Sequence, residues 1–191
     1  MSELARHPVG VVRLLRRELR VEFQCEFSRY VSGGPGRTER REVFRVPSRQ
    51  ITEEWARRQL VRLGSNEELA FHSRVYAGDT VYHVPLVDFL GPFDAPFVKG
   101  VLKPLIEQVR SKICFFSSGR SLHAYMLSMF LPDYWTRFMG ALLLVQTSDG
   151  RPVVDYRWVG HSLINGFGAL RWSRNTKLYL QVPELVGEWP R

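Results

Sequence analysis

The sequence lacks the features that define several common protein classes. Only two cysteines, Cys25 and Cys114, occur among 191 residues, far apart and without neighbouring histidines. This argues against a disulfide framework and against a zinc site. No apolar run approaches the roughly 18 residues of a membrane span, and the N-terminus has no long apolar signal region. We therefore expect a soluble, cytoplasmic protein that makes no contact with membranes.

Several catalytic motifs are missing as well, whereas arginine is abundant. The chain has no Gly-x-Ser-x-Gly nucleophile elbow, no Walker A sequence and no dinucleotide-binding glycine pattern. Arginine outnumbers lysine 23 to 4, and the formal net charge is +8. Residues 1–62 carry 14 arginines and 8 glutamates, so most of the excess is N-terminal. A basic balance fits a polyanionic partner, but GC-rich coding bias would give the same excess of arginine.

The apolar pattern predicts one α+β domain over residues 1–191. The stretch VEFQCEFS alternates apolar and polar residues, which indicates a half-buried strand with Glu22, Gln24, Glu26 and Ser28 on its polar face. A glycine-rich loop over residues 32–42 and a strand at EVFRV complete a hairpin. A second hairpin turns at residues 77–79.

Helices alternate with these hairpins. Apolar spacing predicts them at residues 8–20, 52–63, 94–109 and 133–145, and Pro104 is expected to kink or divide the third. Further strands are predicted at 113–117, 121–128 and 152–155. Hairpins that alternate with helices are typical of an α+β sandwich.

A small polar cluster interrupts two of the apolar strands. Within CFFSSGRSLHAYMLSM, the segment Ser117 to Ser121 is turn-prone, and His123 follows at the start of the next strand. A turn of this composition is most often only a turn, and a lone histidine on a strand is most often structural. The neighbouring segments, however, favour a functional role for this turn and histidine.

Four segments resemble the archaeo-eukaryotic primase and primase-polymerase family. SGRSLHAY is similar to the second motif of that family, Ser-Gly-Arg-Gly-x-His followed by a strand. The segment VDFLGPFDAPF resembles the first motif, a strand that ends in Asp-x-Asp before a helix. PVVDYRW resembles the third, an aspartate at the end of an apolar strand, and GALRWSRNTK resembles the closing Leu-Arg-x-x-Ser element. The four occur in the family's order and cover about residues 80–186.

The resemblance implies a fold, an activity and a set of site residues. The fold would be an α+β, RRM-like primase-polymerase palm of mainly antiparallel sheets with packed helices, in which residues 1–70 precede a palm-like part at 71–191. The activity would be metal-dependent nucleotidyl transfer in primer synthesis for DNA replication. The implied partners are a nucleoside triphosphate, nucleic acid, and a helicase or another replication or defence protein.

The resemblance also assigns roles to individual residues. Asp88 and Asp155 would hold Mg²⁺ or Mn²⁺, since carboxylate oxygens suit these ions. The nucleotide-binding side chains would be Ser118, Arg120, Ser121, His123 and Arg171, and the catalytic residues Asp88, Asp155 and His123. One position departs from the family, because Leu90 stands where the first motif has its second aspartate. This change favours an alternative function, a catalytically inactive module that binds nucleic acid or protein.

A few other side chains are candidates on weaker grounds. Trp158 and Trp172 are possible base-stacking platforms. His83 and His161 lie on strand-like segments, where packing is the better interpretation. A third hypothesis, an RNA-binding sheet unrelated to primases, predicts exposed aromatic residues on central strands.

Overall fold

A computed structural model of the chain describes residues 4–31, 40–91, 93–109, 111–177, 179 and 181–189. These residues form an α+β fold with two antiparallel sheets, as predicted. Its five helices are α1 (Val9–Leu19), α2 (Glu53–Val61), α3 (Ala95–Val109), α4 (Pro132–Leu142) and α5 (Tyr156–Asn165). None of the helices in these ranges is long and apolar enough to cross a membrane.

The first sheet contains both predicted hairpins. Its strands are β1 (Gln24–Val31), β2 (Arg40–Pro47), β3 (Glu67–Ala77) and β4 (Thr80–His83), in the order β2-β1-β3-β4. The tip of the first hairpin falls on residues 32–39, outside the described residues. The second turns through Gly78, whose positive φ of 57° suits glycine.

The second sheet brings together the motif-bearing strands. It contains β5 (Leu86–Asp88), β6 (Ile113–Ser117), β7 (Leu122–Met126) and β9 (Glu184–Trp189), in the order β5-β7-β6-β9. The short strand β8 (Ala169–Arg171) instead pairs with β3 of the first sheet. The chain therefore returns to the first sheet late in the sequence.

Two apolar cores hold these elements together. The first is formed by the first sheet, helices α1 and α2 and residues of the second sheet such as Tyr125, and Phe27, Phe71 and Trp172 are fully buried in it. The second packs α3, α4 and α5 against the other sheet, around Phe89, Phe115 and Met139. Burial of large apolar side chains is the main favourable term in such folds.

Several local predictions are wrong in detail. Residues 152–155 form isolated pairings, such as Phe89 with Val154, and not a strand. The segment with His161, predicted as strand-like, is helix α5. Helix α3 continues past Pro104 and is not divided there. Glu26 and Ser28, predicted on an outer polar face, are buried.

Candidate functional site

A cavity of about 870 Å³ opens between the two sheets and helix α5. It is lined by all seven residues to which the family resemblance assigns roles, namely Asp88, Ser118, Arg120, Ser121, His123, Asp155 and Arg171. They come from β5, the β6–β7 turn, β7, the residue before α5, and β8. Because the turn and β7 are continuous, four separate segments meet at one site, whose volume is in the range of ligand pockets.

Asp88 and His123 lie side by side because their strands pair. β5 and β7 are antiparallel, and Asp88 is directly opposite His123 in their register. The His123 Nε2 atom lies 3.6 Å from Asp88 Oδ1, which is beyond hydrogen-bonding distance. Burial lowers the pKa of His123 to about 3, so its imidazole is neutral at pH 7. Its Nδ1 atom is buried and has no hydrogen-bond partner among the described residues.

The Asp88 carboxyl group is held in an unusual protonation state. Burial, and secondarily the nearby negative charge of Asp155, raise its pKa to about 7. The hydroxyl of Ser121 donates to Asp88 Oδ1 at 3.4 Å, which opposes this shift only in part. A carboxyl group with a pKa perturbed in this way is typical of a functional site.

Asp155 is placed by the backbone of the first motif. Its N–H donates to the Asp88 carbonyl at 2.9 Å, which joins the two motifs directly. Its Oδ1 accepts hydrogen bonds from the N–H groups of Arg157 and Trp158, so Asp155 is also the N-cap of α5. Aspartate before a helix start was therefore a signal for α5 that the strand prediction missed.

The turn between β6 and β7 is closed by its two serines. The Ser118 N–H donates to the Ser121 carbonyl at 2.9 Å, and the hydroxyls of Ser118 and Ser121 lie 2.9 Å apart. Gly119 has a φ of 96°, a conformation that favours glycine. Arg120 is exposed at the tip, with no hydrogen-bond or ion-pair partner among the described residues. A rigid turn thus presents an unpaired guanidinium to the cavity.

Arg171 supports this turn from below. Its guanidinium donates to the carbonyls of Ser173, Gln181 and Ser118 and stacks on the Tyr179 ring at 3.9 Å. The side chain is buried, with only 6% of the residue exposed. Much of the hydrogen-bonding capacity of Arg171 is therefore used within the protein, where it joins the segment around residues 171–173 to the β6–β7 turn.

Two carboxyl groups, those of Asp88 and Asp155, line the cavity. Among the described residues, no group of three or more His, Cys, Asp or Glu side chains could hold a metal ion. Leu90 does not line the cavity, and 36% of it is exposed. Two carboxylates can share one Mg²⁺ or Mn²⁺ whose remaining ligands are phosphate oxygens. No third carboxylate from the described part of the chain lines the cavity.

The cavity also has a wall that the sequence interpretation missed. Helix α5 contributes Arg157, His161 and Asn165, which are four residues apart and so share one face. The first sheet contributes Tyr30 and Arg41. The four-residue spacing of the α5 side chains was visible in the sequence. The position of Tyr30 and Arg41 at the cavity was not, because it depends on the tertiary fold.

The two tryptophan candidates have different outcomes. Trp172 is fully buried and its indole N–H donates to the Tyr125 hydroxyl at 3.0 Å, so it cannot stack on a base. That prediction is wrong, because β8 places Trp172 within the first core. Trp158 does line the cavity, with its indole N–H bound to the Ala169 carbonyl at 2.8 Å. A Cβ atom at Gly168 would lie 2.9 Å from the Trp158 ring, so glycine is required there.

The lining charges favour an anionic ligand. The described lining residues include four arginines, Arg41, Arg120, Arg157 and Arg171, and two aspartates. Arginine binds phosphate oxygens through charge-assisted hydrogen bonds. The geometry and charge together define a cationic cleft with a small acidic centre.

Comparison with known proteins gives the family. Residues 47–184 match the family described as archaeo-eukaryotic primase 1D-like, and this range covers more than two thirds of the chain. The protein therefore belongs to this primase-like family. No curated protein and no solved structure matches the chain.

Proposed function

We propose that this primase-like domain binds a nucleoside triphosphate in the cavity, together with one divalent cation, and holds a nucleic-acid strand beside it. The observation that carries the proposal is the convergence of the four motifs on one cationic cleft. Each motif alone is weak evidence for a function, but residues that bind one ligand must lie close together, as the residues of these four motifs do.

The triphosphate would lie against the β6–β7 turn. Arg120 is the unpaired cation at the tip of that turn, and the hydroxyls of Ser118 and Ser121 are beside it. Asp88 and Asp155 would hold the cation, which would neutralise phosphate charge and relieve the repulsion between the two carboxylates. His123 is neutral and would act as a hydrogen-bonding group, not as a charge.

Nucleotidyl transfer is the second candidate function. It is favoured by the backbone hydrogen bond that brings Asp155 beside Asp88, since both aspartates line the same cavity. It is opposed by Leu90, because in-line phosphoryl transfer commonly uses two ions to stabilise the attacking and leaving oxygens. We therefore propose nucleotide binding as the primary function.

Titration calorimetry with ATP and Mg²⁺ tests the proposal. Replacement of Arg120 by glutamine removes a charge-assisted contact worth about 1.5–3 kcal/mol and is expected to weaken ATP binding by roughly 10- to 100-fold. The control is Arg137→Gln, the same change at an exposed arginine on α4 outside the cavity. Equal affinities for the two variants would contradict the site.

A primer-extension assay on the same wild-type protein separates the two candidate functions. Binding of ATP or dATP without incorporation supports a nucleotide-binding role alone. Metal-dependent incorporation that is lost in Asp88→Ala would establish nucleotidyl transfer instead.

A further inference from the structure

A buried polar network lies behind the wall of the cavity formed by the first sheet. Its centre is Glu26, of which 3% is exposed. The Glu26 carboxylate is 2.8 Å from His72 Nδ1 and accepts hydrogen bonds from Arg74 Nε at 2.9 Å and the Tyr76 hydroxyl at 2.6 Å. Burying such a network costs free energy unless every group is paired, and such networks commonly fix one arrangement of side chains.

The network extends from Glu26 to the cavity through two fully buried groups. The His72 Nε2 atom lies 2.8 Å from the Ser28 hydroxyl. Since His72 Nδ1 faces a carboxylate, that nitrogen carries the proton, and Nε2 is left as an acceptor. One nitrogen of the Arg41 guanidinium lies 2.7 Å from Ser28 Oγ and 3.2 Å from His72 Nε2.

Arg41 is thereby held in one direction at the cavity wall. It is directly opposite Tyr30 in the β1–β2 register, and its guanidinium lies over the Tyr30 ring at 4.8 Å. Both residues line the cavity, on a different sheet from the β6–β7 turn. An arginine fixed by a ring on one side and by buried acceptors behind has less conformational entropy to lose when it binds an anion.

We propose that Arg41 is a second phosphate-binding residue of the cavity and that Glu26 positions it through His72 and Ser28. The inference rests on the proposed function, and it adds a phosphate contact from the first sheet to the contact expected at the β6–β7 turn. The bound group is a phosphate, either of the nucleoside triphosphate itself or of the nucleic-acid strand.

Two probes distinguish these sources of phosphate. ATP with Mg²⁺ and an oligothymidylate of about ten nucleotides are titrated into the wild type, Arg41→Gln and Arg40→Gln. Arg40 is the matched control, because it is exposed, does not line the cavity, and by strand alternation has its side chain on the opposite face of β2. Both variants lower the net charge by one.

Arg41→Gln is expected to weaken binding of at least one probe by about tenfold or more relative to Arg40→Gln. A loss confined to ATP assigns the contact to the nucleotide. A loss confined to the oligonucleotide, with a salt-dependence slope reduced by about 0.7, assigns it to a strand phosphate. If the two variants bind both probes equally, the inference is wrong. If the wild type binds neither probe, the proposed function itself fails.

A double-mutant cycle tests the positioning role. In the wild type the His72 ring stacks on the Phe167 ring, with the ring centroids 4.1 Å apart. His72→Phe retains a ring that can stack there but removes the acceptor for Arg41. It is expected to weaken binding several-fold when Arg41 is present and to have no effect in Arg41→Gln. An equal loss in both backgrounds would show a merely structural role. Ser28→Ala repeats the cycle in a protein with an intact histidine, and folding of each variant is checked by circular dichroism.

Discussion

Replacement of Asp88 by asparagine is expected to raise the melting temperature of the metal-free protein at pH 8 while it removes the metal-dependent part of ATP binding. The pKa of Asp88 is about 7, compared with an ordinary value of 3.8, chiefly because the group is buried and secondarily because Asp155 is near. Above pH 7 the folded protein must therefore carry an unfavourable charge that asparagine lacks.

The sign of the pH dependence follows from the raised pKa. Between about pH 4 and pH 7 the folded state holds a proton on Asp88 that the unfolded state has lost, so this group lowers stability as the pH rises. A shift of this size, at a side chain that is 24% exposed, corresponds to a cost on the order of 3 kcal/mol above pH 7. For a chain of this length, removing that cost by Asp88→Asn should raise the melting temperature at pH 8 by roughly 5–10 °C.

Thermal unfolding of Asp88→Asn and wild type at pH 5 and pH 8, in the presence of a chelator, measures this effect. The stabilisation should be largest at pH 8 and clearly smaller at pH 5, which lies near the start of the range over which wild type loses stability. Asp79→Asn, in the exposed β3–β4 turn, is the control and should change stability little at either pH. A destabilised Asp88→Asn at pH 8 would contradict the assignment of Asp88 as a strained carboxyl group.

Leu90→Asp is expected to strengthen Mn²⁺ binding by tenfold or more. Position 90 lies two residues beyond Asp88 and follows Phe89, which is buried and pairs with Val154. The Leu90 N–H donates to the Val153 carbonyl at 3.0 Å, which holds position 90 beside the segment that leads to Asp155. A third carboxylate there would complete the oxygen ligands that the site lacks.

The same substitution should lower stability when no metal is present. A new carboxylate near Asp88 and Asp155 adds like-charge repulsion, which a bound cation removes. The measurement is the rise in melting temperature on addition of MnCl₂, compared with Leu90→Asn, which matches aspartate in size without its charge. If Mn²⁺ raises the melting temperatures of both variants equally, position 90 does not contribute to the metal site.

The features that the sequence predicted correctly are those set by local pattern. Alternation of apolar residues identified β1, and the glycine at position 78 identified the β3–β4 turn. The polar turn at 118–121 was recognisable because serine, glycine and arginine interrupt two apolar strands. These signals depend on a few neighbouring residues, so they can be recognised without knowledge of the tertiary fold.

The features that the sequence did not reveal depend on distant partners. Glu26 is buried because His72, Arg74 and Tyr76, more than forty residues away, surround its carboxylate. Alternation alone places such a glutamate on the solvent face. Trp172 is buried for a similar reason. It follows β8, which lies in the C-terminal part of the chain but pairs with β3 of the first sheet.

Helix α5 was missed because two local signals competed. The apolar residues Val153 and Val154 resemble a strand, and the segment after Asp155 includes Gly160, which has a low helix propensity. The N-cap aspartate and the left-handed Gly166 at the other end mark a helix more reliably. This error concealed the polar face of α5, which includes His161.

The central claim is that one cleft binds the triphosphate between the β6–β7 turn and the two aspartates. The most direct test is a crystal structure of the protein with ATP and Mn²⁺, using the anomalous signal of manganese. We predict one manganese peak at the carboxylates of Asp88 and Asp155, with phosphate oxygens within hydrogen-bonding distance of Arg120. ATP bound elsewhere, or a manganese peak away from both aspartates, would contradict the account.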